Sequence, residues 1–247
     1  MRTDFAAERT DLNRVGKTLT PRATQAFERL GGRLGAGSFS KGKRDVWLCH
    51  SVCELGATRM VDALADIRHF LERNRGEVVV LFDEDYVSER DLDRVYRESG
   101  LYPHLATLRR DRPLPTLRQL IRSGKRVVVF TERVPSGRYE WDNEGFSFVQ
   151  DTPLGATKPS AFRCARNRGA PDSPLLMINN WIDRFPPPLG ANRAVLRRGF
   201  ITRRARRCAR ARGMRANLIA SDFYDQGQLV GAVRQLNGLD HAPAPTR

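Results

Sequence analysis

The sequence predicts an α/β fold built on parallel strands. Three observations carry this: short β-branched, apolar runs; helical patterns between several of them; and a polar group at the C-terminal end of each run. The runs are Val46–His50, Val78–Glu84, Arg126–Glu132, Leu175–Asn180 and Asn217–Phe223. Each is almost continuously apolar, the signature of a strand covered on both faces in a parallel sheet.

The segments between them read as helices. From Thr58 to Arg73, Met60, Val61, Leu64, Ile67 and Leu71 recur at helical spacing with charges opposite. Ser88 caps a helix running to Glu98, with Glu89 and Asp91 in its first turn and Gly100 just past its end. Pro115–Arg122 is a short helix, followed by the turn Ser123-Gly124-Lys125 and the next strand. Leu229–Leu236 supplies the last helix. A repeated strand-then-helix order implies right-handed crossovers and a parallel sheet. The aromatic-rich stretch Tyr139–Gln150 is a loop or a further strand, and the prolines of Phe185–Leu189 make that segment a loop. An amphipathic helix is expected around Ala23–Leu30 in an otherwise polar stretch.

With 247 residues, 40% of them hydrophobic, the chain can bury a sizeable core. No run approaches the roughly 18 apolar residues of a spanning helix, and Met1–Arg14 shows no apolar signal region. The formal net charge of +15 comes mostly from arginine. It favours anionic partners: nucleic acid, acidic lipid surfaces or phosphorylated substrates. Arginine is densest over Arg193–Arg215, on a helix-like pattern. That segment carries no interleaved aromatic series and no nucleic-acid motif, so nucleic acid is not the expected partner. Cys49, Cys53, Cys164 and Cys208 match no zinc-ribbon spacing, and their number permits either disulfides or reduced thiols.

The strand ends carry, in order, His50; Glu84 and Asp85; Thr131 and Glu132; Asn179 and Asn180; and Asp222. Parallel strands bring such ends to one rim, where (β/α) barrels place their active sites. The cluster Asp83-Glu84-Asp85 suits a metal ion, a sugar's hydroxyls or the capping of the next helix. Asp222 suits catalysis or an ion pair with arginine, and Asn179 the satisfaction of loop backbone. His69, His104 and His241 read as residues of a helix face, a loop and a tail.

Six blocks then bear a resemblance: WLCHSVCELGA (47–57), ALADIRHFLERNRGEVVVLFDEDYV (63–87), LPTLRQLIRSGKRVVVFTE (114–132), FRCARNRG (162–169), LLMINNWID (175–183) and NLIASDFYDQGQLVGAVRQLN (217–237). In this order they resemble bacterial phosphatidylinositol-specific phospholipase C-like proteins. The resemblance implies a TIM-type (β/α) barrel, irregular or incompletely closed, over residues 46–239. Residues 1–45 would then form a divergent or truncated barrel start and 240–247 a frayed tail.

It also implies a phosphoric diester hydrolase acting on a phosphoinositide-like lipid by histidine acid/base chemistry, working at an anionic membrane surface. The Leu48-Cys49-His50 block matches the family's second histidine, making His50 the general acid. Asp222 resembles the late strand-end aspartate. Glu84 matches the calcium ligand of the metal-dependent branch, so the cofactor is either none or calcium. Asn180 falls where relatives carry the histidine of an Asn-His pair. Asp85, Asn180 and Glu132 are the expected substrate-binding residues. Family members are often exported. One departure stands out: no histidine precedes His50, so the first-strand general base is missing, a loss of about 10²–10⁴-fold in rate. The expectation therefore divides between an enzyme and a non-catalytic anionic-lipid-binding relative on the same fold.

Overall fold

The computed structural model describes residues 45–49, 57–84, 87–184 and 189–239. His50, Asp85, the expected helix at Ala23–Leu30, the proline loop and the C-terminal tail all lie outside these in whole or in part. The chain divides into two compact units, one ending at Glu144 and the other starting at Gly145.

In the first unit, strands β1 (Trp47–Cys49) and β2 (Ala57–Arg59) pair antiparallel, with Leu48 opposite Thr58. The sequence predicts Val46–His50 as a parallel strand. Only seven residues separate β1 from β2, too few for the dozen or more that a parallel crossover requires, so this pair runs antiparallel. Helix α1 (Met60–Arg73) follows at once and buries Met60, Leu64 and Leu71. Then come β3 (Val79–Asp83), α2 (Glu89–Glu98), α3 (Leu117–Ser123), β4 (Val127–Thr131) and β5 (Asn143–Glu144). The three strands form a parallel sheet in the order β3-β4-β5.

Caps explain where the helices begin. The Ser88 hydroxyl accepts the Asp91 N–H at 3.2 Å, with Glu89 and Asp91 in the first turn. Thr116 and Gln119 form a reciprocal capping box on α3. The end of α1 is closed from a distance: the buried Arg126 guanidinium donates to the carbonyls of Leu71 and Asn74, both at 2.9 Å. These carbonyls have no acceptable partner within the helix. The core of this unit comprises Met60, Leu64, Leu71, Leu92, Val95, Tyr96, Leu101, Val127, Val129 and Trp141, among others.

In the second unit, helix α4 (Gly145–Phe148) leads into β6 (Val149–Asp151), β7 (Leu175–Asn179), α5 (Leu189–Val195), α6 (Arg198–Arg212), β8 (Ala216–Ala220) and α7 (Leu229–Leu236). A second parallel sheet has the order β6-β7-β8. Strand β8 ends at Ala220, before the expected Phe223, which itself turns into the left-handed region at φ 50°. Cys164 and Cys208 form a disulfide that ties the segment after Phe162 to α6. Both units are α/β with parallel sheets, and the described strands close no barrel.

Candidate functional site

The polar strand ends collect at the C-terminal edge of each sheet. In the first unit, Asp83 ends β3 opposite Thr131, which ends β4. Glu84 and Glu132 follow, both exposed, and the Glu132 N–H donates to the Asp83 carbonyl at 3.3 Å. The sheet thus brings these two sequence-predicted carboxylates to one edge.

Beneath them lies a network that the strand patterns did not disclose. The Tyr96 hydroxyl donates to Asp83 Oδ2 at 2.9 Å. Burial pushes the Asp83 carboxyl above its ordinary value; the Tyr96 hydrogen bond opposes this and the nearby Asp142 charge adds to it. Burial, and then the Asp83 charge, pushes the Tyr96 phenol well up. Asp142, its side chain wholly buried, accepts Thr131 Oγ1 at 2.5 Å and Arg133 Nη2 at 2.8 Å. Arg133 also donates to the Val87 carbonyl at 2.9 Å. The edge therefore rests on a buried, hydrogen-bonded polar layer in which Arg133 Nε alone of the guanidinium's buried nitrogens makes no hydrogen bond, lying 3.6 Å from Glu89 Oε1.

In the second unit, Asn180 and Asp222 come to the matching edge. Asn180 follows β7 directly and is buried; its N–H donates to the Ala220 carbonyl at 2.8 Å and its Nδ2 to the Val195 carbonyl at 3.1 Å. Asp222 lies two residues past β8, half-buried. Around Asn180, the side-chain oxygens Asn179 Oδ1, Asn180 Oδ1 and Ser221 Oγ are buried with no hydrogen-bond partner. Buried polar atoms are nearly always satisfied, and a buried water is the ordinary partner for oxygens placed this way.

A second unanticipated cluster sits at the end of β6. The buried Asp151 carboxylate accepts the Arg168 backbone N–H at 2.7 Å, its Nε at 2.9 Å and Nη2 at 2.7 Å, and Asn179 Nδ2 at 3.0 Å. Asn179, at the end of β7, serves loop backbone as the sequence suggests, its Nδ2 donating to the Thr152 carbonyl at 2.6 Å, and the same amide also joins this cluster. The buried Arg204 donates to the Asn179 carbonyl at 3.0 Å and stacks 4.2 Å from the Phe162 ring centroid. With no carboxylate paired to it, burial pulls its guanidinium down to about 10, and the charge of Arg207 adds to this. Arg168 lies within one of the family-like blocks, which is the signal that could have singled it out. Asp151 followed a stretch whose fold was ambiguous.

Among the described residues no group of three or more His, Cys, Asp or Glu side chains could hold a metal ion, whereas calcium takes six to eight oxygens.

The family model described as PI-PLC X 1 matches residues 28–237. The chain is 26% identical over 213 residues to PI-PLC X domain-containing protein 1 of Arthroderma benhamiae, covering 78% of this chain and 69% of that protein. It is 25% identical over 217 residues to an uncharacterized secreted protein of the same fungus, covering 77% of this chain and 49% of that one. A PI-PLC X domain-containing protein of Arabidopsis thaliana matches at 28% over 114 residues, 42% of this chain and 26% of its own. This chain therefore spans about two thirds, half and a quarter of these relatives. No solved structure matches it. With parallel sheets, polar strand ends and a family match across most of its length, the chain belongs to the PI-PLC X domain family.

Proposed function

We propose that the chain is a phosphoric diester hydrolase of the phosphatidylinositol phospholipase C-like type, acting on a phosphoinositide-like lipid on a TIM-type barrel. The observation that carries this reading is the family match over residues 28–237. The polar groups at the C-terminal edges of both parallel sheets support it, since that edge is where α/β proteins of this kind bind and react.

In this reading His50 protonates the departing glycerol oxygen and Asp222 assists the acid/base chemistry. Glu132, Asp85 and Asn180 hold the headgroup. The unpartnered oxygens of Asn179, Asn180 and Ser221 are of the kind that accept hydrogen bonds from a polyol. Export fits as well: a disulfide persists in oxidising compartments, and one relative is named a secreted protein. No described helix is long and apolar enough to cross a membrane.

A second reading, a non-catalytic binder of anionic lipid on the same fold, is favoured by the formal net charge of +15. One assay separates the two. Phosphatidylinositol vesicles are incubated with the chain, with calcium and with chelator, and water-soluble inositol phosphate is measured. The hydrolase reading expects release that falls at least about 10²-fold in His50→Ala. No release under either condition leaves the binder; release unchanged in His50→Ala removes His50 as the acid.

A further inference from the structure

Residues 184–221 contain eleven arginines and no aspartate, glutamate or lysine. Helix α6 lies within this stretch, and its two faces differ in kind. The inner face, Ile201, Thr202, Arg204, Ala205 and Cys208, is buried. It is fastened on two sides. Cys208 is bonded to Cys164 and Arg204 stacks on Phe162, while Thr202 Oγ1 donates to Gln235 Oε1 of α7 at 2.9 Å. The outer face presents Arg203, Arg206 and Arg210, all exposed, at positions i, i+3 and i+7. None of these three takes part in any described ion pair.

A helix gains nothing from such a stripe by itself. Like charges three and four residues apart repel and destabilise a helix, and only the last turn benefits from cations near the helix C-terminus. The stripe runs for about 10 Å along a helix held rigid by a covalent bond and a buried stack. A flat array of negative charge satisfies all three guanidinium groups at once.

We propose that this face of α6 is a docking surface for an anionic lipid bilayer. The choice of lipid over nucleic acid rests on the proposed function above. It also rests on α7, packed beside α6, whose Val230 and Val233 are 74% and 39% exposed. Exposed valines suit an interface with an apolar layer and contribute nothing to a phosphate backbone.

The test uses the full chain and vesicles of phosphatidylglycerol mixed with phosphatidylcholine, so that binding is read without hydrolysis. Arg203→Gln, Arg206→Gln and Arg210→Gln are combined in one variant. A control variant combines Arg73→Gln, Arg75→Gln and Arg118→Gln, which are exposed in the first unit. At roughly fivefold per arginine, the α6 variant should bind about a hundredfold more weakly, with its circular dichroism unchanged. The control should lose far less, and added salt should erase the difference. An equal loss in both variants, or none in the α6 variant, overturns the proposal. So does duplex DNA binding that is tighter than vesicle binding and lost with the α6 stripe. Vesicle binding that depends on the stripe, in a chain that releases no inositol phosphate, sinks the hydrolase reading and leaves the docking surface standing.

Discussion

Arg168 holds the buried Asp151 carboxylate with three donors, its own backbone N–H at 2.7 Å and guanidinium nitrogens at 2.9 and 2.7 Å. The partners are unequal: the Asp151 side chain is fully buried, while that of Arg168 is 34% exposed. Breaking the pair should therefore cost more from one side. Arg168→Ala strands a buried carboxylate and should lose about 3–5 kcal/mol. Asp151→Asn leaves a guanidinium able to turn to water and should lose less. Urea unfolding of both variants checks the order; a larger loss for Asp151→Asn would show that the arginine is the trapped charge.

Gly169, the next residue, has φ +86°, and a Cβ there would sit 2.3 Å from the Val149 carbonyl oxygen and 2.7 Å from Gln150 Cα. Backbone cannot swing aside, so Gly169→Ala should cost at least about 3 kcal/mol or prevent folding. Gly124 has a similar φ of +71° with nothing within 4 Å. Gly124→Ala should cost only the left-handed penalty of about 1–2 kcal/mol. Paired melting curves test this, and similar losses would refute the close approach at Gly169.

Asp83 gives a pH signature. Its carboxyl is raised in the folded chain, chiefly by burial, from an ordinary value of 3.8. The folded state thus holds a proton that the unfolded state releases. The stability this contributes is complete below that ordinary value and is lost as pH climbs through the raised one. Asp83→Asn keeps an acceptor for the Tyr96 hydroxyl but removes the buried charge. It should melt higher than the parent at pH 7, with the gap closing toward pH 3. A gap that widens on acidification would contradict the direction.

The Cys164–Cys208 bond closes a separation of 44 residues, worth about 4 kcal/mol by loop entropy. Cys164→Ser or mild reductant should lower stability by that order, as read by thermal unfolding. Mass spectrometry after thiol labelling should find both sulfurs blocked in the untreated chain.

These residues also mark how far the sequence could be read. The fully apolar run at β4 and the Ser88 cap of α2 were legible because local propensity and burial agree there. The strand-end positions of Glu84, Glu132 and Asn180 followed from the same patterns. Strands β5 and β6, of two and three residues, are too short to show any period, and with them the buried Asp142 and Asp151 were hidden. The antiparallel turn of β1 onto β2 depends on pairing, which periodicity does not report. Asp222 fell outside its strand because β8 stops at Ala220, short of where the apolar run ends in the sequence. The partner of Cys208 was unreadable because nothing local links residues so far apart.

The bridge from Cys164 to Cys208 encloses a stretch dense in arginine, the residue after which trypsin cuts. A single cleavage inside that loop divides the polypeptide without releasing a fragment, because the sulfur bond still joins the two ends. A chain nicked there would travel as one species on a non-reducing gel and separate only when thiol is added. Outside a cell, a single cut at this site would therefore leave the two pieces linked.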